Sequence, residues 1–125
     1  MADALGLRVL SAGGGRSAAE APWRPDLAAD EDGGVIASGV VTTLLDQVCG
    51  MAVSTAGPGL YPTATLDLRI DYMRPAAKGA GLTAEAHCYK VTRSVAFVRA
   101  EAWDANREDL VASAQATFML SERSA

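Results

Sequence analysis

The sequence has 125 residues, of which 50% are hydrophobic and 21% are charged, so it suits one compact domain with a real core and not a disordered tail. Its net charge of −4 and its scattered Lys and Arg residues argue against nucleic acid or an anionic membrane as the main partner, because both need a basic surface. Two cysteines without metal-ligand spacing, one histidine and the lack of a signal peptide or membrane span favour a reduced, cytoplasmic protein.

The first part of the chain is rich in turn-forming residues. Residues 1–38 contain three consecutive glycines at 13–15, the segment APWRPDL and the acidic run DEDGG. We therefore expect a short opening helix or strand followed by irregular loops. No domain boundary is indicated, so residues 1–125 are expected to form a single domain whose N-terminal segment, 1–30, is loosely structured.

From Ser38 onward the apolar residues recur at helical spacing, which predicts one long helix of about four to five turns. Ser38 is the expected N-cap and Gly57-Pro58 the expected stop. One carboxylate, Asp46, stands in the middle of this apolar pattern. A carboxylate on a core-facing element costs several kcal/mol unless it is satisfied or its chemistry is used, so Asp46 needs an explanation.

After the turn at Gly57–Gly59 the hydrophobic period changes from that of a helix to that of a strand. In TATLDLRIDYM, residues 63–73, alternate positions are apolar, which predicts a half-buried strand with these residues on one face: Ala64, Leu66, Leu68, Ile70 and Tyr72. Three more strand-like runs follow, LTAEAHCYKV, SVAFVRAEAWD and LVASAQATFML, with connections short enough for antiparallel neighbours. The predicted fold class is α+β, an antiparallel sheet wrapped around one long central helix.

Two segments of this pattern resemble a known family. The helix opening GVIASGVVTTLLD and the strand TATLDLRIDYMRPA are similar to those of the hotdog-fold acyl-CoA thioesterases of the phenylacetate-degradation type, in the 4-hydroxybenzoyl-CoA thioesterase-like superfamily. The likeness extends from Ala21–Leu27 to the final ATFML. The resemblance implies the hotdog fold, thioester hydrolysis, and no metal or redox cofactor, CoA being part of the substrate.

The family's helix-opening motif, H-G-G-x-x-A-T-L-x-D, implies roles for individual residues. The aspartate, which is nucleophile or general base, falls on Asp46, and the backbone N–H that polarises the thioester carbonyl falls on Ser38. A strand hydroxyl that helps to place water falls on Thr65. Where the family most often has His-Gly-Gly, this chain has Ala37-Ser38-Gly39, but a backbone donor does not depend on the identity of its side chain.

Further residues are expected to contact the substrate. Gly39 lies beside the backbone donor, and Cys49, one turn from Asp46, is a candidate for lining the acyl pocket. Arg74 and Arg93, near strand ends, are candidates for the CoA phosphates. The Val, Met and Ala content of the helix suggests an apolar pocket of moderate size, compatible with medium-chain or aromatic acyl groups.

Helix geometry implies a second subunit. Ser38 and Asp46 lie roughly 12 Å apart along one helix, too far for both to touch one carbonyl. If two copies pair with antiparallel helices, the N-terminus of one helix meets the Asp46 of the other. The resemblance likewise implies a homodimer with two composite sites, and often a tetramer.

Two other functions remain open at this level. The missing histidine favours a hotdog protein that binds acyl-CoA without hydrolysing it. A hotdog hydratase or dehydratase would need its own acid–base pair, and the sequence offers no His–Asp pairing in the helix.

Overall fold

The structure, a computed structural model, describes residues 6–28, 35–57 and 60–122. One long helix packs against a six-stranded antiparallel sheet with the strand order β1-β2-β4-β5-β6-β3. The elements are β1 (Arg8–Gly13), β2 (Arg16–Ala21), α1 (Ser38–Ser54), β3 (Leu60–Tyr72), β4 (Leu82–Val91), β5 (Val95–Trp103) and β6 (Ala112–Glu122), with a short 3-10 helix at Pro25–Leu27. The predicted α+β architecture is confirmed. No described helix has the length and hydropathy to cross a membrane.

The N-terminal region corrects the sequence prediction. Within the segment expected to be loosely structured, β1 and β2 form a hairpin closed by Gly14 and Gly15, both with positive φ (60° and 80°). A two-residue turn of this kind requires left-handed backbone at both positions, which glycine adopts readily. The turn is held in place because Gly15 donates to the Thr55 carbonyl (3.0 Å) and accepts from the Cys88 N–H (2.7 Å). Gly13 thus ends β1, and Gly14 and Gly15 form the tight turn that joins β1 to β2.

Helix α1 follows its predicted span, with one change at its start. Its buried residues form one continuous face: Val40, Val41, Leu44, Leu45, Val48, Cys49, Ala52 and Val53. The N-cap is Ala37, whose backbone is extended (φ −68°, ψ 145°), and not Ser38, which is the first helical residue. The Ala37 side chain cannot accept a hydrogen bond, so this helix begins without a side-chain cap.

The sheet presents small side chains to the helix. The buried positions of the central strands are largely alanines: Ala84, Ala86, Ala96, Ala100, Ala102, Ala112, Ala114 and Ala116. Alanine is a poor strand former, but here it lets the large residues Leu44, Leu45 and Val48 fill the space between helix and sheet. The buried hydroxyl of Ser17 adds a hydrogen bond of 2.5 Å to the Val48 carbonyl. This fixes α1 against β2.

Strand β3 lies at an edge of the sheet and differs from the predicted pattern. Leu68 and Ile70 pack against the core as expected, whereas Leu66 and Tyr72 are each 50% exposed. Two register shifts interrupt the pairing of the first half of β3 with β6, and such bulges change the face to which a side chain points. Ala64 is exposed for the same reason. The prediction of one buried face is thus right for Leu68 and Ile70 and wrong for Ala64, Leu66 and Tyr72.

Candidate active site

Helix α1 presents Asp46 to a groove and not to the core. The Asp46 side chain is half-buried, and the groove, of about 360 Å³, runs along the helix face opposite the buried one. Its other lining residues are Ala12, Gln47, Gly50, Met51, Ser54, Thr55, Pro62 and Phe118. The desolvation cost expected of a core carboxylate is therefore largely avoided, because one side of Asp46 faces open space.

No group in the described part of the chain forms a hydrogen bond or an ion pair with the Asp46 carboxylate. The lining of the groove contains no lysine, arginine or histidine. Within residues 6–28, 35–57 and 60–122 this carboxylate thus has no structural contact, in contrast to the buried Asp104. It is available to a water molecule or to a ligand in the groove.

The N-terminal turn of α1 offers free backbone donors. Val40 N–H and Val41 N–H both donate to the Ala37 carbonyl (3.0 and 3.4 Å), which leaves the N–H groups of Ser38 and Gly39 without an acceptor inside the helix. Both residues are exposed, and a Cβ placed on Gly39 would meet no atom within 4 Å. This end of the helix carries its partial positive charge. The N-terminus of α1 can therefore bind an anionic oxygen through these N–H groups.

Two hydroxyl groups contact the same turn, one from the helix itself (Thr42) and one from β3 (Tyr72). The Thr42 Oγ1 lies 3.1 Å from the Ser38 carbonyl oxygen, and the Tyr72 hydroxyl lies 2.7 Å from Thr42 Oγ1 and 3.3 Å from that same carbonyl. Tyr72 is the last residue of β3. The end of this edge strand is thus tied to the first turn of the helix.

The two halves of the predicted chemistry lie apart within one protomer. The Ser38 N–H is at the helix N-terminus and Asp46 is eight residues further along, or about 12 Å at 1.5 Å per residue. The structure therefore places both residues on one helix but does not bring them together in a single chain.

Thr65 and Arg93 do not line the Asp46 groove. Thr65 is exposed on β3, directly opposite Phe118, which does line it. Arg93 is exposed in the turn between β4 and β5. The roles implied for both residues remain predictions.

Arg74 has a structural role that the sequence analysis did not anticipate. Its guanidinium binds the Asp104 carboxylate in a bidentate pair (2.9 and 2.7 Å), and its Nε lies 3.1 Å from Asp109. Asp104, only 4% exposed, also accepts the N–H groups of Ala77 and Ala105. Arg74 holds the pKa of Asp104 well below its usual range. Because two carboxylates already neutralise Arg74, its expected contact with a CoA phosphate is not supported.

Cys49 is also corrected. Its side chain is fully buried in the core and is not part of the groove. Burial, reinforced by the negative charge of Asp46, raises the pKa of the Cys49 thiol to about 12. Cys49 is therefore a packing residue whose thiol stays protonated at neutral pH, and its expected place in the acyl pocket is not supported.

The single histidine of the sequence, His87, lies on β4 between the buried residues Ala86 and Cys88, so its side chain points to the outer face of the sheet. It cannot pair with Asp46 on the helix side. Among the described residues, no three His, Cys, Asp or Glu side chains gather as a metal site would require.

Several residues that line the groove were not predicted from the sequence. Three of them could have been, since they share the helix face of Asp46 at helical spacing: Gln47, Gly50 and Ser54. Ala12 and Phe118 had none, because they come from distant strands. They reach the groove only through the pairing of β1 with β2 and of β6 with β3.

Comparisons with known proteins agree with this description. The sequence model of the Thioesterase superfamily matches residues 33–111. A solved structure from Pseudomonas aeruginosa is 32% identical, with 94% of this chain and 87% of that chain covered and a TM-score of 0.85. A mutant of the phenylacetic acid degradation protein PaaI from Thermus thermophilus is 30% identical, with 94% and 96% covered and a TM-score of 0.81.

A more distant structure has the same fold. It is a hypothetical thioesterase from Streptococcus pneumoniae, solved with coenzyme A, with 18% identity, 95% of this chain and 88% of that chain covered, and a TM-score of 0.81. No curated protein matches the chain. The predicted hotdog fold is confirmed, and the chain belongs to the Thioesterase superfamily.

Proposed function

We propose that this protein is an acyl-CoA thioesterase of the phenylacetate-degradation type that works as a homodimer with two composite active sites. The observation that carries the proposal is Asp46: a half-buried carboxylate with no partner among the described residues, in a partly apolar groove. The motif resemblance implies the catalytic aspartate at this position. Membership of the superfamily supports thioester hydrolysis as the general reaction. No metal or redox cofactor enters this chemistry.

In the proposed reaction, the Asp46 carboxylate either takes a proton from the attacking water or attacks the thioester carbon itself. The carbonyl oxygen becomes negative as the tetrahedral intermediate forms. The Ser38 N–H of the second subunit donates to that oxygen, and the positive end of its helix favours the charge. The C–S bond then breaks and CoA leaves as its thiolate. In the first route the thiolate takes back the proton that Asp46 holds; in the second, water hydrolyses the anhydride between the acyl group and Asp46. The Thr65 hydroxyl, near Phe118 on the rim of the groove, is the proposed aid in placing water.

A second copy of the chain is supported by the open edge of the sheet. Strand β3 has 13 residues and pairs only with β6 among the described strands. Long exposed edge strands tend to pair with another chain. Half-exposed apolar side chains stand in the middle of this strand, at Leu66, and directly after its last residue, at Met73. Pairing of two β3 strands would place two α1 helices side by side, where the N-terminus of each can approach Asp46 of the other.

The groove favours medium-chain or aromatic acyl groups. Met51, Pro62, Phe118 and Ala12 give it apolar walls, and its volume of about 360 Å³ is moderate. Pockets of this size bind small apolar groups, and a few polar groups fix their orientation. The structural neighbour that was solved with coenzyme A shares this fold, which is consistent with CoA as the carrier of the acyl group.

A second candidate function is acyl-CoA binding without turnover. The observation in its favour is Ala37, which stands where the family most often has a histidine. Hydrolysis that depends on Asp46 would exclude it. The position of His87 on the outer face of the sheet gives no support to a hydratase or dehydratase, since no His–Asp pair forms on the helix side.

The test is thiol release from a panel of short, medium, long and aromatic acyl-CoAs by wild type and Asp46→Asn. We expect wild type to release CoA and the variant to lose at least about a hundredfold of that rate, as removal of a catalytic base or nucleophile predicts. Glu108→Gln, which makes the equivalent change at an exposed position between β5 and β6, should keep the wild-type rate. Folded but inactive wild type would instead indicate an acyl-CoA binder.

A single turnover in ¹⁸O-enriched water separates the two roles of Asp46. If Asp46 activates water, the acid released in the first turnover contains ¹⁸O. If Asp46 is the nucleophile and water then attacks the carboxyl carbon of Asp46, the first product takes its oxygen from the protein and is unlabelled.

A further inference from the structure

We propose that Tyr72 and Thr42 are positioning residues that polarise the Gly39 N–H and make it a second donor to the oxyanion, beside the Ser38 N–H. This inference rests on the proposed thioesterase function and deepens it. The family motif assigns the backbone donor at residue 38; the two hydroxyl groups act on the next peptide unit.

The link between the hydroxyl groups and the donor is covalent. The Ser38 carbonyl and the Gly39 N–H belong to one planar peptide unit and point in opposite directions. In a helix the carbonyl points toward the C-terminus, so this N–H points out of the N-terminal end. A hydrogen bond to the carbonyl draws electron density toward its oxygen and strengthens the N–H as a donor. Hydroxyl groups that bind the Ser38 carbonyl can therefore increase the donor strength of the Gly39 N–H.

Both hydroxyl groups lie within donating distance of the Ser38 carbonyl. Thr42 Oγ1, the Tyr72 hydroxyl and the Ser38 oxygen form a triangle with sides of 3.1, 2.7 and 3.3 Å. Two hydroxyl protons fill at most two of these three contacts at once. Either both hydroxyls donate to the carbonyl, or one donates to the other, which then donates to the carbonyl. In every such arrangement the peptide unit of Gly39 receives at least one hydroxyl hydrogen bond.

Both sides of this peptide fit the proposed role. The Tyr72 ring is 50% exposed at the end of an edge strand, so burial does little to hold it, and its hydroxyl contacts define its position. In front of the peptide, the space beside Gly39 is open, since a Cβ at this residue would meet no atom within 4 Å. Gly39 is also exposed, so an oxygen from outside the protomer can reach this residue. This chain has Ala37 where the family most often has a histidine. The hydroxyl groups of Thr42 and Tyr72 orient the Gly39 N–H through the Ser38 carbonyl, so this orientation does not require a side chain at residue 37.

The test compares Tyr72→Phe and Thr42→Val with wild type on an acyl-CoA that wild type hydrolyses. Loss of a whole oxyanion donor lowers kcat about 10²- to 10³-fold, so loss of its polarisation should lower kcat less, by about 5- to 20-fold. Because the oxyanion exists only in the transition state, KM should change less than about twofold. Thr42→Ser keeps the hydroxyl and should restore kcat. Tyr89→Phe, which removes a hydroxyl on a different strand, should leave kcat unchanged.

A second measurement does not depend on turnover. In ¹⁵N–¹H spectra the Gly39 amide should move upfield in Tyr72→Phe and in Thr42→Val, since its carbonyl partner has lost a hydrogen bond. The same signal should stay in place in Tyr89→Phe.

The outcomes separate this inference from the function on which it rests. Wild type that hydrolyses in an Asp46-dependent manner, with unchanged kcat in both hydroxyl variants, would overturn the role of Tyr72 and Thr42 and leave the thioesterase intact. Wild type without hydrolysis would overturn both. A rise in KM with constant kcat would overturn the positioning role, because it would mean that the hydroxyls bind substrate in its ground state.

Discussion

Ser38 and Asp46 lie on the same helix, eight residues apart, with the backbone donor at the start of α1 and the carboxylate at its middle. At about 12 Å along the axis they cannot both contact one thioester carbonyl. In the proposed dimer, a second copy that pairs through β3 would bring the N-terminus of its own helix to this carboxylate. The length of helix between Ser38 and Asp46 is thus the reason why the proposed site is composite.

The first prediction isolates the Ser38 N–H. Ser38→Pro removes this N–H at the first helical position, where proline is tolerated, and Ala37 already has the extended backbone that proline requires before it. We expect kcat to fall about 10²- to 10³-fold while the melting temperature stays near that of wild type. Ser38→Ala retains the N–H and should keep most of the activity. Equal loss of activity in both variants would mean that the side chain, and not the backbone, is the functional group.

The second prediction concerns the sharing of sites between subunits. Asp46→Asn and Ser38→Pro should each be inactive alone. If they are unfolded and refolded together, about half of the dimers will be mixed, and each mixed dimer will contain one site with both groups intact. Activity should then rise to about a quarter of wild type, since one site in two is intact in half of the dimers. Mixtures that stay inactive although heterodimers form would place both groups of a site in one chain.

The third prediction uses a glycine that lines the groove. Gly50 lies inside α1, where a Cβ would meet no atom within 4 Å of the protomer. Gly50→Ala should therefore raise the free energy of unfolding by about 0.5–1 kcal/mol through helix propensity. Because the added methyl projects into the groove one turn from Asp46, the same variant should raise KM.

Gly81→Ala is the matched control for Gly50→Ala. A Cβ at Gly81 would lie 2.5 Å from the Ala21 carbonyl oxygen and 2.9 Å from the Trp23 nitrogen, so this substitution should destabilise the protein by about 1–3 kcal/mol. Urea unfolding of both variants at one protomer concentration checks the opposite signs, since the stability of a dimer depends on concentration. A change in the free energy of unfolding that has the same sign in both variants would contradict the packing described at one of these glycines.

Local patterns in the sequence predicted the central elements well. The helix and β4 have strong periodicity, 3.6 in one and 2 in the other, so their spans agree with the structure to within a few residues. The hairpin of β1 and β2 was missed because its three glycines are also typical of a loop. Its register with β4, which makes it part of the sheet, depends on contacts far apart in sequence.

The same distinction holds at the site. Asp46 and the first helical turn were predicted from a contiguous motif. By contrast, the groove partner Phe118 and the hydroxyl of Tyr72 reach the helix only after the sheet has formed. Arg74 was assigned to a phosphate because its partner Asp104 lies in a loop that is distant in sequence. A local sequence pattern does not show that this loop contacts Arg74. Long-range ion pairs and strand register are the parts that a single sequence leaves open.

The fourth prediction concerns the ion pair of Arg74 and Asp104. The pKa of Asp104 is lowered in the folded protein, chiefly by the hydrogen bonds from Arg74. A group with a lowered pKa stabilises the fold fully above its unfolded value, about 3.9 for Asp, and loses that contribution as the pH falls toward its folded value. Asp104→Asn should therefore lower the free energy of unfolding at pH 7 by about 1–3 kcal/mol, the cost of disrupting a buried, charged hydrogen-bond network.

The difference in the free energy of unfolding between wild type and Asp104→Asn should narrow as the pH falls from about 5 to about 2. In this range Asp104 becomes protonated in the unfolded chain, and folding must remove that proton. Urea unfolding of the two proteins across this range is the measurement. Asp109→Asn provides the control, since the Asp109 side chain is 68% exposed and exposed pairs contribute about 1 kcal/mol or less. A gap between wild type and Asp104→Asn that stays constant over this whole range would mean that the charge of Asp104 does not contribute to stability, and that the carboxylate serves only as an acceptor for the Ala77 and Ala105 N–H groups.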